Sequence, residues 1–398
     1  NGNYIINVVD SQSVLIFSFI GYINQEITVG NRTQINISLT EEVVGLEEVV
    51  VIGYGTVRKS DLTGSIGSIK QEIINVQVVE NPLMALTGIT PGIQVLQKSG
   101  EPGSVINLRI RGANSILGGN EPLYVIDGFP VSGDIDYLNP NDIQSMEILK
   151  DASATAIYGS RGANGVILIT TKRGFEGTTF VEYNSYFGFQ KPTKHIDLLD
   201  ATEYANLANV RAANDGIAPY FTAAEISSMG EGFDWQKAVF QTGVIQNHSL
   251  ILSGGSNKTR FNLSGNYFNH SGVLIESFST RYQLKLDLDH RISDNWKVSV
   301  QNILSRNKSN TIFSDNSARG NGVLSGALCA PPTVGPYYDD GTYIDSRTLY
   351  PFIPDMMENP LLRAYEIKDE KTKSSTLLNI AINGTFLNDF TIRSSVGV

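Results

Sequence analysis

Cysteine is nearly missing. Cys329 is the single thiol in 398 residues, which excludes an internal disulfide, a disulfide scaffold and a Cys-rich metal site. Long apolar runs are missing as well. Nothing approaches the ~18 consecutive apolar residues of a membrane helix, so membrane residence would have to be strand-built, with alternation as its weaker signal. Charge is sparse, at 18% of residues, against about 25% in an average soluble domain. The net charge is −10, and no Lys/Arg cluster of nucleic-acid-binding length occurs, so DNA and RNA are disfavoured as partners. There is no initiating Met or basic leader at Asn1-Gly2-Asn3-Tyr4, and the chain stops inside the alternating run Phe390 to Val398. Both ends read as cut, and the expectation is a fragment.

What is abundant is glycine, at 38 residues, together with Asn, Ser and Thr. That mixture suits a β-rich, turn-rich extracytoplasmic protein. The length allows two to three domains at roughly 150 residues each. Residues 1–45 hold short β runs (Tyr4–Val9, Val14–Phe19, Gln25–Val29, Gln34–Leu39) separated by turn residues, which predicts a partial β-sandwich. Residues 46–60 read as a linker with one strand-competent segment, Glu47 to Ile52, followed by Gly53-Tyr54-Gly55. Residues 61–175 mix helix and strand. A short helix is expected from Pro82, strands at 107–111, 123–127 and 165–171, and another short helix over 151–158.

Residues 176–398 carry the clearest pattern. Tyr282, Leu284, Leu286 and Leu288 alternate with Gln283, Lys285, Asp287 and Asp289. Phe261, Leu263 and Tyr267 alternate with Arg260, Asn262, Ser264 and Asn266. Period two sustained over many segments predicts seven strands, near 178–189, 245–254, 258–268, 280–291, 296–305, 375–386 and 389–398. The connections between them alternate: long (190–244), tight (255–257), medium (269–279), tight (293–295), very long (306–374) and tight (387–388). Outer-membrane barrels have short periplasmic turns and long external loops. A soluble sandwich, as in a secreted adhesin or carbohydrate-binding module, explains the β content but not that regularity. Tyr183, Phe187, Tyr267, Tyr282 and Trp296 fall near strand ends, where interfacial aromatics sit.

Several motifs dissolve on inspection. Gly53-Tyr54-Gly55 starts a dinucleotide fingerprint but lacks its third glycine and its βαβ unit, and Gly159 to Gly165 lacks the Gly-Lys-Ser/Thr of a phosphate loop. His195, His248, His270 and His290 have no ligand spacing, and Asp339-Asp340-Gly341 is a plain turn without the calcium-loop pattern. No catalytic constellation, metal site or cofactor motif emerges, so no enzyme is expected. Arg109 and Arg111, two apart on an expected strand, would share a face. Asp127-Gly128 would form a turn.

The run Asn81 to Val95, then Leu108-Arg109-Ile110-Arg111-Gly112, Pro122 to Val131 and above all Ile148 to Gly174 resembles the SusC/RagA class of TonB-dependent outer-membrane transporters. Val14 to Tyr22 is similar to the carboxypeptidase-regulatory-like domain that precedes the plug in this class. The resemblance implies a plug over residues 61–175 and the first strands of a transmembrane barrel over 176–398. Such a barrel needs about 22 strands, so seven would leave an open sheet edge. It implies a coupling box at Glu48, Val49, Val50, Val51, Ile52, Gly53 and Tyr54, where an extended, Pro-free segment can add to the sheet edge of a TonB-type energy-coupling protein. It also implies plug contacts through Arg109, Arg111, Asp127 and Arg161, a SusD-like lipoprotein lid, outer-membrane lipid around the barrel, and an oligosaccharide or peptide as the imported solute.

Overall fold

The computed structural model describes residues 6–8, 10–17, 25–38, 49–52, 55–58, 66–76, 79–97, 99–112, 119–151, 155–312, 321–353, 357–386 and 390–398. The chain divides into two compact units, 1–63 and 64–398.

In the first unit, β1 (Val14–Phe17) pairs antiparallel with β2 (Gln25–Thr28). A second ladder joins β3 (Val49–Ile52) to β4 (Gly55–Arg58), with Val50 opposite Val57. The β-branched Val49-Val50-Val51-Ile52 favours extended backbone. The expected run at 34–39 carries no ladder over residues 34–38.

The second unit opens with β5 (Ile66–Lys70) and α1 (Gln71–Val76), followed by a 3-10 turn at Pro82–Leu86. That turn stands where a helix was expected. Asn81 caps it, accepting from the Leu83 amide at 2.9 Å, and Gly88, at φ +73°, turns the chain away before an α-helix can establish itself. Next come β6 (Ile93–Gln97), β7 (Ile106–Ile110), β8 (Leu123–Ile126), β9 (Phe129–Val131), β10 (Ile143–Leu149) and β11 (Val166–Thr171). Five of these form a sheet in the order β5-β10-β11-β8-β9, in which only β11 and β8 run parallel. β8 and most of β11 are buried, and they read Leu-Tyr-Val-Ile and Val-Ile-Leu-Ile, the continuous apolar runs of strands covered on both faces. Their core includes Ile69, Leu86, Leu108, Ile126, Met146, Ile148, Ile167 and Ile169.

Seven long strands follow: β12 (Gly177–Gln190), β13 (Gly243–Gly255), β14 (Thr259–Ser271), β15 (Phe278–Ser293), β16 (Trp296–Asn310), β17 (Glu370–Phe386) and β18 (Phe390–Gly397). They lie in sequence order and all pair antiparallel. Up-and-down order puts the 191–242, 272–277 and 311–369 connections at one end and the tight turns at 256–258 and 294–295 at the other. The expected last turn, 387–388, lies outside the described residues. No helix among the described residues is long and apolar enough to cross a membrane; the strands supply the candidate spans.

Candidate functional site

The long sheet has inverted faces. On β15, Lys285 and Asp287 are each 1% exposed, whereas Tyr282 is 56% and Leu284 48% exposed. Asn262, Ser264 and Asn266 of β14 are likewise buried while Leu263 is exposed. A soluble sandwich buries the leucines instead. Here the polar face is covered by the preceding α+β domain, and the apolar face is left bare, as lipid requires.

The seam between domain and wall is mostly polar, although Ile303 of β16 and Leu377 of β17 join the domain's apolar core. Arg281, fully buried, donates through one guanidinium nitrogen to the carbonyls of Glu80 (3.0 Å) and Asp136 (2.8 Å). Its guanidinium also lies over the Phe268 ring at 5.4 Å. Gln283 donates to Asp142 Oδ2 at 2.6 Å. Lys285 donates to the Lys172 carbonyl. Asn139 reaches Ser249 at 3.3 Å, and Lys373 pairs with Asp136 at 2.7 Å. His270 bridges the seam: Nδ1 lies 3.2 Å from Glu80 Oε2 and Nε2 lies 2.7 Å from Gln190 Oε1. Burial opposes ionisation of Glu80, but hydrogen bonds from His270 and Ser279 and the nearby Arg281 charge carry its pKa below the usual value. Each buried charge therefore finds a counter-dipole or counter-charge, the condition for tolerating it away from bulk water.

The expected plug residues sit behind this seam. Asp127 and Gly128 are the two central residues of the β8–β9 hairpin, with φ +50° and +91°, the conformation that an Asp-Gly turn adopts. The Asp127 carboxylate accepts from the Thr171 amide (3.0 Å) and hydroxyl (2.7 Å), and it lies 3.8 Å from Arg173. Burial works against the Arg173 charge, but Asp127, Asp287 and Asp289 outweigh it and hold the guanidinium more basic than usual. Arg111 lies just past β7 at φ +59°, so the strand alternation stops at Ile110, and Arg111 pairs with Asp151. Arg109 stands opposite Gln94 in the β6–β7 ladder. Arg161 is within 3.4 Å of the Ser132 hydroxyl. Of the expected coupling residues, Val49, Val50, Val51 and Ile52 form β3, whereas Glu48, Gly53 and Tyr54 lie outside the described residues.

The seam residues Glu80, Asp136, Asp142, His270 and Arg281 have no local sequence signature. Their partners stand 141 to 201 positions away. The long connections also hold more order than expected. Helices α2 (Ala201–Asn214), α3 (Ala223–Met229) and α4 (Trp235–Val239) fill the first, and α5 (Val323–Cys329), α6 (Ser346–Leu349) and α7 (Pro360–Glu366) fill the second. Asp200-x-x-Glu203 and Thr222-x-x-Glu225 are capping boxes readable in the sequence. The two connections share a core. Phe221 packs on Tyr350 at 5.2 Å, and Trp235 Nε1 donates to the Pro331 carbonyl at 3.0 Å.

Residues 58–166 match the TonB-dependent Receptor Plug Domain family. The chain is 38% identical over 401 residues to TonB-dependent receptor P3 of Formosa agariphila, a match covering 100% of this chain and 38% of that protein. It is 33% identical over 413 residues to TonB-dependent receptor SusC of Bacteroides thetaiotaomicron, covering 96% of this chain and 40% of the relative. Among solved structures, the RagAB peptide importer in its open-open state superimposes with a TM-score of 0.71 at 27% identity, over 88% of this chain and 42% of that one. The chain thus spans about two fifths of the length of the relatives it matches.

Proposed function

The chain belongs to the TonB-dependent receptors of the outer membrane, of SusC/RagA type, and from that premise we propose that it forms the energy-coupled, gated part of a nutrient importer. Residues 61–175 act as the plug, 176–398 as barrel wall, 46–60 as coupling box and linker, and 1–45 as the accessory β domain. A TonB-type coupling protein engages Glu48 to Tyr54 by strand addition and pulls. The plug leaves the wall, and a solute too large for porins crosses the lumen. The solute is an oligosaccharide or a peptide, delivered beneath a SusD-like lipoprotein lid. The likeness to the RagAB peptide importer and to SusC supports this assignment of partners. Arg111, Asp127 and Arg161 make their contacts within the plug and, with Arg109 on the β6–β7 ladder, help hold its parts together under load.

One observation carries the reading: a folded domain is seated by polar contacts on the polar face of a sheet whose other face is apolar. The test is a covalent lock across the seam. A Cβ built on Gly103 would lie 3.4 Å from the Ser279 Cβ, close to disulfide spacing. Gly103 holds φ +71°, so a cysteine there costs about 1–2 kcal/mol. In full-length protein with Cys329→Ser, Gly103→Cys/Ser279→Cys should import normally when reduced and stop when oxidised. Import at an undiminished rate by the oxidised form would defeat the plug-displacement reading.

A further inference from the structure

The outward face of the wall carries a groove of about 670 Å³, within the ~300–1,000 Å³ of small-molecule sites. Its floor is Gly265 of β14, flanked in register by Leu284 on β15 and Leu250 on β13, with Leu304 of β16 beyond. A Cβ placed on Gly265 would meet no atom within 4 Å, so the hollow is open space rather than a tight backbone approach. Along the long-loop side of the groove runs a polar-tipped row. Tyr183 Oη lies 2.7 Å from His248 Nδ1. His248 stands opposite Tyr267, Tyr267 opposite Tyr282, and Tyr282 opposite Arg306. Tyr282 and Arg306 both lie four residues inside the long-loop end of their strands, 278 to 282 and 306 to 310.

Arg306 is exposed, and its side chain has no hydrogen-bond or ion-pair partner among the described residues. Lys308, two residues nearer the long-loop end, is already paired with Glu370 at 3.0 Å. An unpaired cation on a lipid-facing surface is expensive unless it reaches the interface and meets an anion there. The opposite girdle, Trp296 packed on Phe386, lies ten residues along β16 from Arg306 (296 to 306). At ~3.3 Å per residue and a tilt near 40° that is roughly 25 Å of membrane depth, so the row sits at one headgroup boundary.

We infer that this groove holds an anionic, phosphate-bearing membrane lipid of the leaflet on the long-loop side. One acyl chain lies over Gly265 between Leu250, Leu284 and Leu304. The headgroup phosphate pairs with Arg306 and accepts from the tyrosine hydroxyls. The amphiphilic layout, apolar below and cationic at one edge, matches an anionic lipid. A second copy of the chain, docked here about an axis along the membrane normal, would bury two Arg306 cations at one height without an anion.

The full-length protein in mild detergent is titrated with phosphatidylglycerol or with phosphatidylcholine of the same chains, and bound lipid is counted by native mass spectrometry. Wild type should retain several-fold more phosphatidylglycerol. Arg306→Gln should reduce phosphatidylglycerol to the phosphatidylcholine level. Gly265→Leu, which fills open space, should reduce both several-fold while leaving the thermal midpoint of the barrel unchanged. Inorganic phosphate alone should displace nothing. Equal retention of the two lipids by wild type, no response to either variant, or displacement by inorganic phosphate overturns the proposal. So does a dimer that Gly265→Leu dissociates with the lipid count unchanged, since a second copy is then the occupant.

Discussion

Arg281→Ala should loosen the plug without unfolding the wall. Arg281 is 2% exposed, and its guanidinium is the shared donor to the Glu80 and Asp136 carbonyls. A hydrogen bond from a charged donor contributes about 1.5–3 kcal/mol. Two such bonds, less what water entering the vacated space restores, give roughly 3–4 kcal/mol, or about 10²–10³-fold in the ratio of seated to unseated plug. The β14–β15–β16 ladder involves only backbone around this position, so the sheet itself should persist. Amide hydrogen exchange on the full-length protein in membranes, read over peptides 79–86 and 133–142, should accelerate by about that factor, while peptides within β15 and β16 stay protected. Arg281→Lys should recover part of the protection, because an ammonium keeps the charge but not the planar fork. If exchange in both plug peptides is unchanged in Arg281→Ala, the seam is not what holds the plug, and the polar-contact account fails.

Leu286→Arg, on the outward face near mid-depth, should cost the bilayer-embedded barrel about 2–4 kcal/mol in urea titrations from vesicles. A change within about 0.5 kcal/mol, as for an exposed site in water, would contradict lipid exposure. Val50→Pro removes a main-chain donor from the coupling strand and should abolish capture by the periplasmic coupling protein; undiminished capture would reassign β3. Because Glu80 ionises more readily when folded than its ordinary value of 4.5, it stabilises seating above about that pH, and this contribution is lost as pH falls through the lowered folded value. Acid should therefore lower the protection factors at 79–86 in wild type, once the intrinsic pH dependence of amide exchange is divided out, and Glu80→Gln should remove that acid dependence while leaving protection at neutral pH weaker.

The wall was legible because one rule writes it. With a side-chain period of two and different solvents on its two faces, a strand declares its ends and its orientation together, so Tyr282 to Asp289 revealed both. The external helices were less legible. Their apolar faces are completed by a second connection far along the chain, as where Phe221 meets Tyr350, so each reads alone as a mixed loop. The capping boxes at Asp200 and Thr222 were the local evidence. The seam was not legible at all. His270 lacks ligand spacing and Glu80 precedes an ordinary Asn-Pro turn, and only the fold brings them within 3.2 Å. Arg111 shows how a single backbone angle breaks a pattern: φ +59° takes it off the strand that the alternation with Arg109 extends.

Within the second unit, two kinds of cohesion oppose a pull from the N-terminal side. The seam is made mostly of polar contacts, each worth a net ~0.5–1.5 kcal/mol because water can replace it, with Ile303 and Leu377 of the wall as its apolar part. The domain's interior is apolar and has no such substitute. Yet force arriving through residue 64 meets β5 first. Among the described residues β5 is an edge strand that pairs only with β10, from Ile66 opposite Leu149 to Lys70 opposite Ser145. It contributes the fully buried Ile69 to the core, about 1.5–3 kcal/mol of burial. Loaded pair by pair, it should yield before the seam contacts, which share their load. A disulfide across the last pair, Lys70→Cys/Ser145→Cys with Cys329→Ser, would join the edge strand to its neighbour without touching the wall. Oxidised, this protein should import far more slowly than when reduced, although its plug is free to leave the seam. If the oxidised and reduced forms import equally fast, β5 does not peel, and the plug moves as one piece with its sheet intact.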